Sequence, residues 1–254
     1  METFNTKYGK ITLYSNETFI TPSFRINDGY WDIDTLLQLK PYINPDKNIL
    51  EIGAHCGTST IIYASFLNNN SQVFAYEPQK CMYNLLQQNI IQNNLQDKII
   101  PYNYAVFCKE GLGQMNNIDI DGGGGLVIKR YNEEINKPCN FGGIGLGRNG
   151  ENINMITVDD NMRHKNIGFI HCDAQGAENF IFSKAINTIK ENRPVILFEN
   201  NEKYGQYLYN NVCRSYPEFS ENSRFNLEDY CMKELNYSNI IRQFNGGQDD
   251  LFIP

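Results

Sequence analysis

The sequence predicts an α/β fold, an open and mostly parallel seven-stranded sheet with helices on both faces and an antiparallel last strand. Three observations carry that prediction. Residues 49–58, Ile-Leu-Glu-Ile-Gly-Ala-His-Cys-Gly-Thr, form a buried-strand pattern running into a glycine turn and then a helix. Val73-Phe74-Ala75-Tyr76 is a second apolar strand that delivers Glu77 at its end. The strand–helix alternation then recurs as far as Glu199 and closes with a hairpin.

The elements follow in order. Residues 1–45 read as a leading cap, with an amphipathic stretch from Trp31 to Ile43 stopped by Asn44-Pro45. The strand at 49–52 opens the core and Thr58–Leu67 is its helix. The strand at 73–76 precedes a helix over Lys80–Asn93, where Met82, Leu85, Leu86 and Asn89 share a face. Ile99–Val106 reads as a third strand, with Pro101 near its start, where a missing donor is tolerated.

Residues 107–154 break this rhythm. Gly122–Gly125 are four consecutive glycines, and Phe141–Gly147 repeats the theme. Regular structure throughout such a segment costs much backbone entropy. It leaves from the carboxyl end of a strand, where ligands bind in this architecture, so it reads equally as a lid or as a plain surface insertion. Regularity returns at Met155–Val158. A strand at Ile167–Cys172 ends in Asp173 and precedes a helix over Ala177–Glu191. Pro194–Phe198 is a further strand ending in Glu199-Asn200. The tail offers a helix (Asn226–Leu235), a strand (Ser238–Phe244), a Gly246-Gly247 turn and a last strand (Asp250–Ile253). Residues 1–254 read as one domain.

Bulk properties narrow the partners. A formal charge of -7 argues against a nucleic acid held by phosphate neutralisation. Seven dispersed cysteines without a C-x-x-C pair indicate neither a disulfide framework nor a structural zinc site, and fit reduced thiols in a cytoplasmic setting. The first residues lack an apolar signal core and no apolar run is long enough for a bilayer, so no membrane partner is expected.

A strand, a glycine turn and a distant acid suit a nucleoside. A dinucleotide fingerprint needs G-x-G-x-x-G, whose second glycine makes room for pyrophosphate. Gly53-Ala54-His55-Cys56-Gly57 has histidine at that place, which suits S-adenosylmethionine, a nucleoside without phosphate. Glu77 is placed to accept hydrogen bonds from ribose hydroxyls, Glu51 to sit beneath the aminoacyl arm, and Asp173 to complete the site at the fourth strand.

Glu51-Ile-Gly-Ala-His-Cys-Gly57, Tyr76-Glu77-Pro78, Thr157-Val-Asp-Asp160, His171-Cys-Asp-Ala-Gln-Gly-Ala-Glu178 and Pro194-Val-Ile-Leu-Phe-Glu199 resemble the FkbM-type methyltransferases in order and spacing over residues 45–254. The resemblance implies a class I, Rossmann-like methyltransferase fold and O-methylation of sugars or polyketide hydroxyls. It carries cofactor roles onto Glu51, Gly53, Ala54, Gly57 and Glu77, and His55, Thr58, Ala105 and Asp173 are further candidates for cofactor contact. The family commonly has Asn where His55 stands, Lys at His171 and Glu at Gln175.

Methyl transfer to an alcohol is an in-line displacement that benefits from positioning and from a base. Asp173 and His171 share a strand face and are the catalytic candidates. His171 lies about 7 Å further back, where it could orient Asp173 or act directly. Glu178 opens a helix and His164 sits between two cations, so both read as structural or solvated. Tyr30 and Trp31 are candidates to line an acceptor cleft. A second reading places magnesium on Asp173, Glu199 and Asn200, with substrate hydroxyls and water completing an octahedron. The expected acceptor is a sugar, glycan or glycosylated small molecule. The alternatives are an RNA methyltransferase, which lacks its usual D/N-P-P-Y/F turn here, and a non-catalytic module of the same fold.

Overall fold

The computed structural model describes residues 1–26, 29–117, 119, 139–200 and 205–254. Apolar alternation at the start gives a hairpin, β1 (Glu2–Thr6) and β2 (Gly9–Leu13), then helices α1 (Ile20–Arg25) and α2 (Ile33–Leu39). Next come β3 (Asn48–Ile52), α3 (Thr58–Phe66), β4 (Val73–Tyr76), α4 (Lys80–Gln92) and β5 (Ile99–Tyr102). Three further strands are β6 (Ala105–Val106), β7 (Gly111–Asn116) and β8 (Asn149–Ile156). The second half runs α5 (Val158–Met162), β9 (Ile167–Cys172), α6 (Glu178–Phe182), α7 (Ile186–Asn192), β10 (Val195–Glu199), α8 (Gln206–Ser215), α9 (Leu227–Asp229), β11 (Asn239–Ile241) and β12 (Asp249–Ile253).

Ile49, Leu50, Val73, Phe169, Ile170 and Ile196 are all buried, because helices cover both faces of their sheet. Its order is β11-β12-β10-β9-β3-β4-β5. All neighbours in the run β10-β9-β3-β4-β5 are parallel, and β12 alone runs against the rest. The predicted seven strands and the antiparallel last strand are both present. The chain winds outward in one direction from β3 through β4 to β5, and in the other from β9 to β10. The reversal therefore lies between β3 and β9, and ligands bind at the carboxyl ends of strands flanking such a point.

The leading hairpin is fastened to this core through Asn89, buried on α4 as its spacing predicts. Its Oδ1 accepts from Thr12 N at 2.7 Å, and its Nδ2 donates to the carbonyls of Thr12 and Cys56. The stretch 31–43 is α2 followed by a tight turn at Lys40–Tyr42. All seven cysteines are unbonded and six are buried. Among the described residues no helix is long and apolar enough to cross a membrane.

Four expectations need correction. The third strand stops at Tyr102 and does not reach Val106. Asn103 Nδ2 donates to the carbonyls of Glu77 and Pro78, which turns the chain out of the sheet, and Ala105–Val106 pairs with β8 instead. The irregular segment is more regular than its glycines suggest, since β7 and β8 are antiparallel in a second sheet of order β6-β8-β7. Gly122–Gly125 lie outside the described residues. The long helix after Asp173 is two short ones. The Asp159 carboxylate accepts from the backbone of Asn187 and Thr188, capping α7 from a distant part of the chain. In the tail, left-handed Gln243 and Asn245 end the strand at Ile241. The Asn226 helix is one α-turn followed by a π-turn (Tyr230–Glu234).

Candidate functional site

The turn after β3 is built around two left-handed glycines. Gly53 has φ +88° and Gly57 has φ +90°. A Cβ on Gly53 would lie 1.9 Å from the carbonyl oxygen of Asp173, and one on Gly57 would lie 2.7 Å from Leu86 Cδ1. Only glycine fits either place without moving its neighbours. The amides of Gly53 and Ala54 both donate to the carbonyl of Tyr76, tying the turn to the end of β4. His55 is also left-handed, at φ 50°, an uncommon conformation for a side-chain-bearing residue. That twist aims its N–H at Glu77 Oε2, 2.8 Å away.

Glu77 is held from two sides. Its Oε1 accepts from Gln79 N at 2.7 Å. Burial pushes its carboxyl up to about 8, although the amides of Gln79 and His55 pull in the other direction. Each oxygen keeps a lone pair beyond its backbone bond. The carboxylate lines an open cavity of about 690 Å³ together with Gly53, His55, Ala105 and Asp173. Tyr104 adds an aromatic ring from the turn after β5, and Ile144 and Leu146 form the far wall. The wall is fixed by Gln79 Nε2, which donates to the carbonyl of Phe141 at 2.9 Å. The second glycine-rich run of the insertion thus borders this cavity.

A second cavity of about 630 Å³ adjoins the first and shares Gly53, His55 and Asp173 with it. Ala54 and Thr58 also line it, with Trp31, Asp32, Tyr63, His171 and Asp249. Of the predicted cofactor residues, Glu51 and Gly57 line neither cavity. Glu51 is fully buried beneath them and accepts from Ser59 Oγ. Tyr30 is buried and lines neither cavity, and its hydroxyl donates to the carbonyl of Thr58 at 2.7 Å. Trp31 lines the second cavity.

His171 does not orient Asp173. It pairs across the sheet with Glu51, and its Nδ1 lies 3.7 Å from Glu51 Oε1. Burial works against its charged form, but the neighbouring charge of Glu51, then those of Asp249 and Asp173, prevail and raise its pKa. A histidine so placed is turned toward Glu51 and away from Asp173. The side chain that orients Asp173 is Gln175, whose Nε2 donates to Asp173 Oδ1 at 2.8 Å. Glu178 closes the same turn by accepting from Ala174 N, the structural role expected of it. His164 is exposed, also as expected.

His55 contrasts with His171. It is half-buried with both ring nitrogens shut away from solvent, neither has a hydrogen-bond partner among the described residues, and desolvation lowers its pKa to about 4. A neutral imidazole therefore stands where the two cavities meet.

The magnesium set is not assembled. Glu199 and Asn200 line a separate cavity that lacks Asp173, and Asn200 Nδ2 donates to Asp250 Oδ2 at 2.7 Å. Among the described residues no three His, Cys, Asp or Glu side chains gather as metal ligands. The residues present do not fit the ion, and no step is routed through it. They do fit S-adenosylmethionine, for which the glycine cradle and the doubly anchored Glu77 beside the open cavity are suited.

Sequence reasoning missed Gln79, Tyr104, Gln175, Asp32, Tyr63 and Asp249. Gln175 sat inside the quoted motif and Asp249 at the start of the closing strand. Tyr63 and Asp32 belong to helical segments whose facing depends on tertiary packing.

Comparison with known proteins bears on this arrangement. A sequence profile described as the methyltransferase FkbM domain matches residues 51–226. Among solved structures, the chain is similar to a methyltransferase FkbM from Methylobacillus flagellatus KT at 15% identity and TM-score 0.44, covering 69% of this chain and 39% of that one. It is also similar to an O-methyltransferase from Bacillus cereus in complex with SAH, at 16% identity and TM-score 0.44, covering 87% and 79%. A SAM-dependent O-methyltransferase from Thermotoga maritima shares 10% identity at TM-score 0.43, covering 82% and 60%. The chain thus spans about two-fifths of the Methylobacillus structure's length. No curated protein matches it.

Proposed function

The chain belongs to the FkbM methyltransferase family, and from that premise we propose that it is an S-adenosylmethionine-dependent O-methyltransferase whose acceptor is a hydroxyl of a sugar, glycan or glycosylated small molecule. The observation that carries the reading is the doubly anchored Glu77 carboxylate at the end of β4, facing a cavity bounded by Gly53 and Asp173. A carboxylate in that position accepts from two vicinal ribose hydroxyls. Tyr104 offers a face for the adenine base.

Bound S-adenosylmethionine supplies a methyl group on a positively charged sulfur. The chain's own residues have three tasks. Gly53 lets the backbone approach without a side chain in the way, so the donor is held close to Asp173. Asp173, fixed by Gln175, takes the proton from the acceptor hydroxyl as the new C–O bond forms. His55 stays neutral between the two cavities and adds no charge to repel the sulfonium. Holding oxygen, carbon and sulfur in line accounts for much of the acceleration in such a displacement.

The test is incubation of the purified chain with methyl-labelled S-adenosylmethionine and a panel of free sugars and glycans. Label in an acid-stable ether, with one equivalent of S-adenosylhomocysteine released, is the expected result. Cofactor binding with no turnover on any acceptor would contradict the enzymatic reading.

A further inference from the structure

The second cavity has an unusual charge balance for a site that handles sugars. Asp32, Asp173 and Asp249 line it, and Glu51 lies buried beneath. No lysine or arginine is among its described lining residues. His171 is turned to Glu51, and in the working enzyme the donor brings a single sulfonium. Carboxylates therefore outnumber positive charges even in the loaded site. An independent observation points to a ligand. The Tyr63 hydroxyl is fully buried, lines this cavity and has no hydrogen-bond partner among the described residues. A phenol left unpaired in a protein interior is costly unless something else bonds to it.

Carboxylates around an aromatic wall are the chemistry that recognises an ammonium group. The acids supply charge-assisted hydrogen bonds and an indole face supplies cation–π attraction. Trp31 provides that face, in edge contact with Phe19 at 5.5 Å between centroids. We propose that the second cavity takes the acceptor and that Asp249, Asp32 and Tyr63 select one carrying a protonated amine beside the hydroxyl that is methylated, an amino sugar being the class that unites the two. This rests on the methyl-transfer reading above. The transfer itself is unchanged: a C–O bond forms as the C–S bond of the donor breaks, the hydroxyl proton goes to Asp173, and sulfur leaves as a neutral thioether. The amine is bound and does not react.

The same lining disfavours anionic acceptors. A sugar phosphate would bring its charge into a pocket with no arginine or lysine to receive it, and like charges at close range cost binding.

The experiment uses the full chain saturated with S-adenosylhomocysteine and titrated with glucosamine, glucose, N-acetylglucosamine and glucose 6-phosphate. Glucosamine should bind about tenfold more tightly than glucose, the size of one added charge-assisted contact. N-acetylglucosamine should lose that advantage and glucose 6-phosphate should bind worst. Asp249→Asn should erase most of the preference while leaving S-adenosylhomocysteine affinity intact, which also reports that the variant is folded. Equal or tighter binding of glucose, or no binding by any of the four, would overturn the proposal. So would an Asp249→Asn variant that loses S-adenosylhomocysteine affinity, since the acid would then serve the cofactor's own amine. Failure of S-adenosylhomocysteine to bind the parent chain would remove the methyl-transfer reading instead, and this inference with it.

Discussion

Gly53 and Asp173 meet backbone to backbone, closely enough that a methyl group on Gly53 would come within 1.9 Å of the Asp173 carbonyl oxygen. The amide of Asp173 in turn donates to the carbonyl of Ile52 at 3.0 Å. The two strands flanking the reversal in sheet order are therefore locked together where the cavities open. The first glycine of the turn sets how near its loop comes to Asp173, the proposed base.

Gly53→Ala should consequently destabilise the protein by roughly 3 kcal/mol or more, because φ +88° is strained for alanine and the neighbour is backbone rather than a movable side chain. Chemical denaturation of both proteins measures the difference. A loss within 0.5 kcal/mol, about the range of an ordinary surface change, would show that the strands part without cost.

Asp173→Asn keeps the shape and removes the proposed base. Turnover should fall by about 10²–10⁴-fold while S-adenosylhomocysteine affinity changes little. His171→Gln should leave turnover higher than Asp173→Asn does, because His171 faces Glu51. Steady-state kinetics with isothermal titration separates the two effects, and the reverse ranking would return the base role to His171.

Chelation should leave activity unchanged, since Asp173, Glu199 and Asn200 do not converge on one cavity. Assays after treatment with EDTA and readdition of magnesium check this. Loss with EDTA and recovery with magnesium would contradict the side-chain arrangement described above.

The buried Glu77 gives stability a pH dependence whose sign follows from linkage. Its pKa is about 8 in the folded chain against an ordinary value of 4.5. The unfolded chain thus ionises first as pH rises, so stability is fullest below about 4.5 and declines up to about 8. Thermal melts of the cofactor-free protein from pH 5 to 8 should show a falling midpoint, and Glu77→Gln should flatten part of that slope. Glu178, also raised to about 8 by burial, accounts for a share that the variant leaves in place. Parallel curves for parent and variant would show that Glu77 is already ionised across the window.

The sheet was legible because its strands are short apolar runs bounded by glycine or acid, and burial on both faces leaves little ambiguity in Ile49–Ile52 or Ile167–Cys172. Glu77 was legible for the same reason, as the acid ending such a run. What stayed hidden depends on partners far apart in the chain. Asp159 starts a helix at Ile186 that local periodicity merges with its predecessor. Asn103 diverts a strand through carbonyls of Glu77 and Pro78. His171 and Asp173 share a face, yet cross-strand register gives the histidine to Glu51. Tyr63 and Asp249 become neighbours of one cavity only when α3 and the last strand are folded together.

The most direct test of the account is isothermal titration of S-adenosylhomocysteine into the parent chain and into Glu77→Ala. One-site binding by the parent, weakened about 10- to 100-fold in the variant, is the predicted result. No binding to the parent, or equal affinity in both, would contradict the assignment of Glu77 to the ribose.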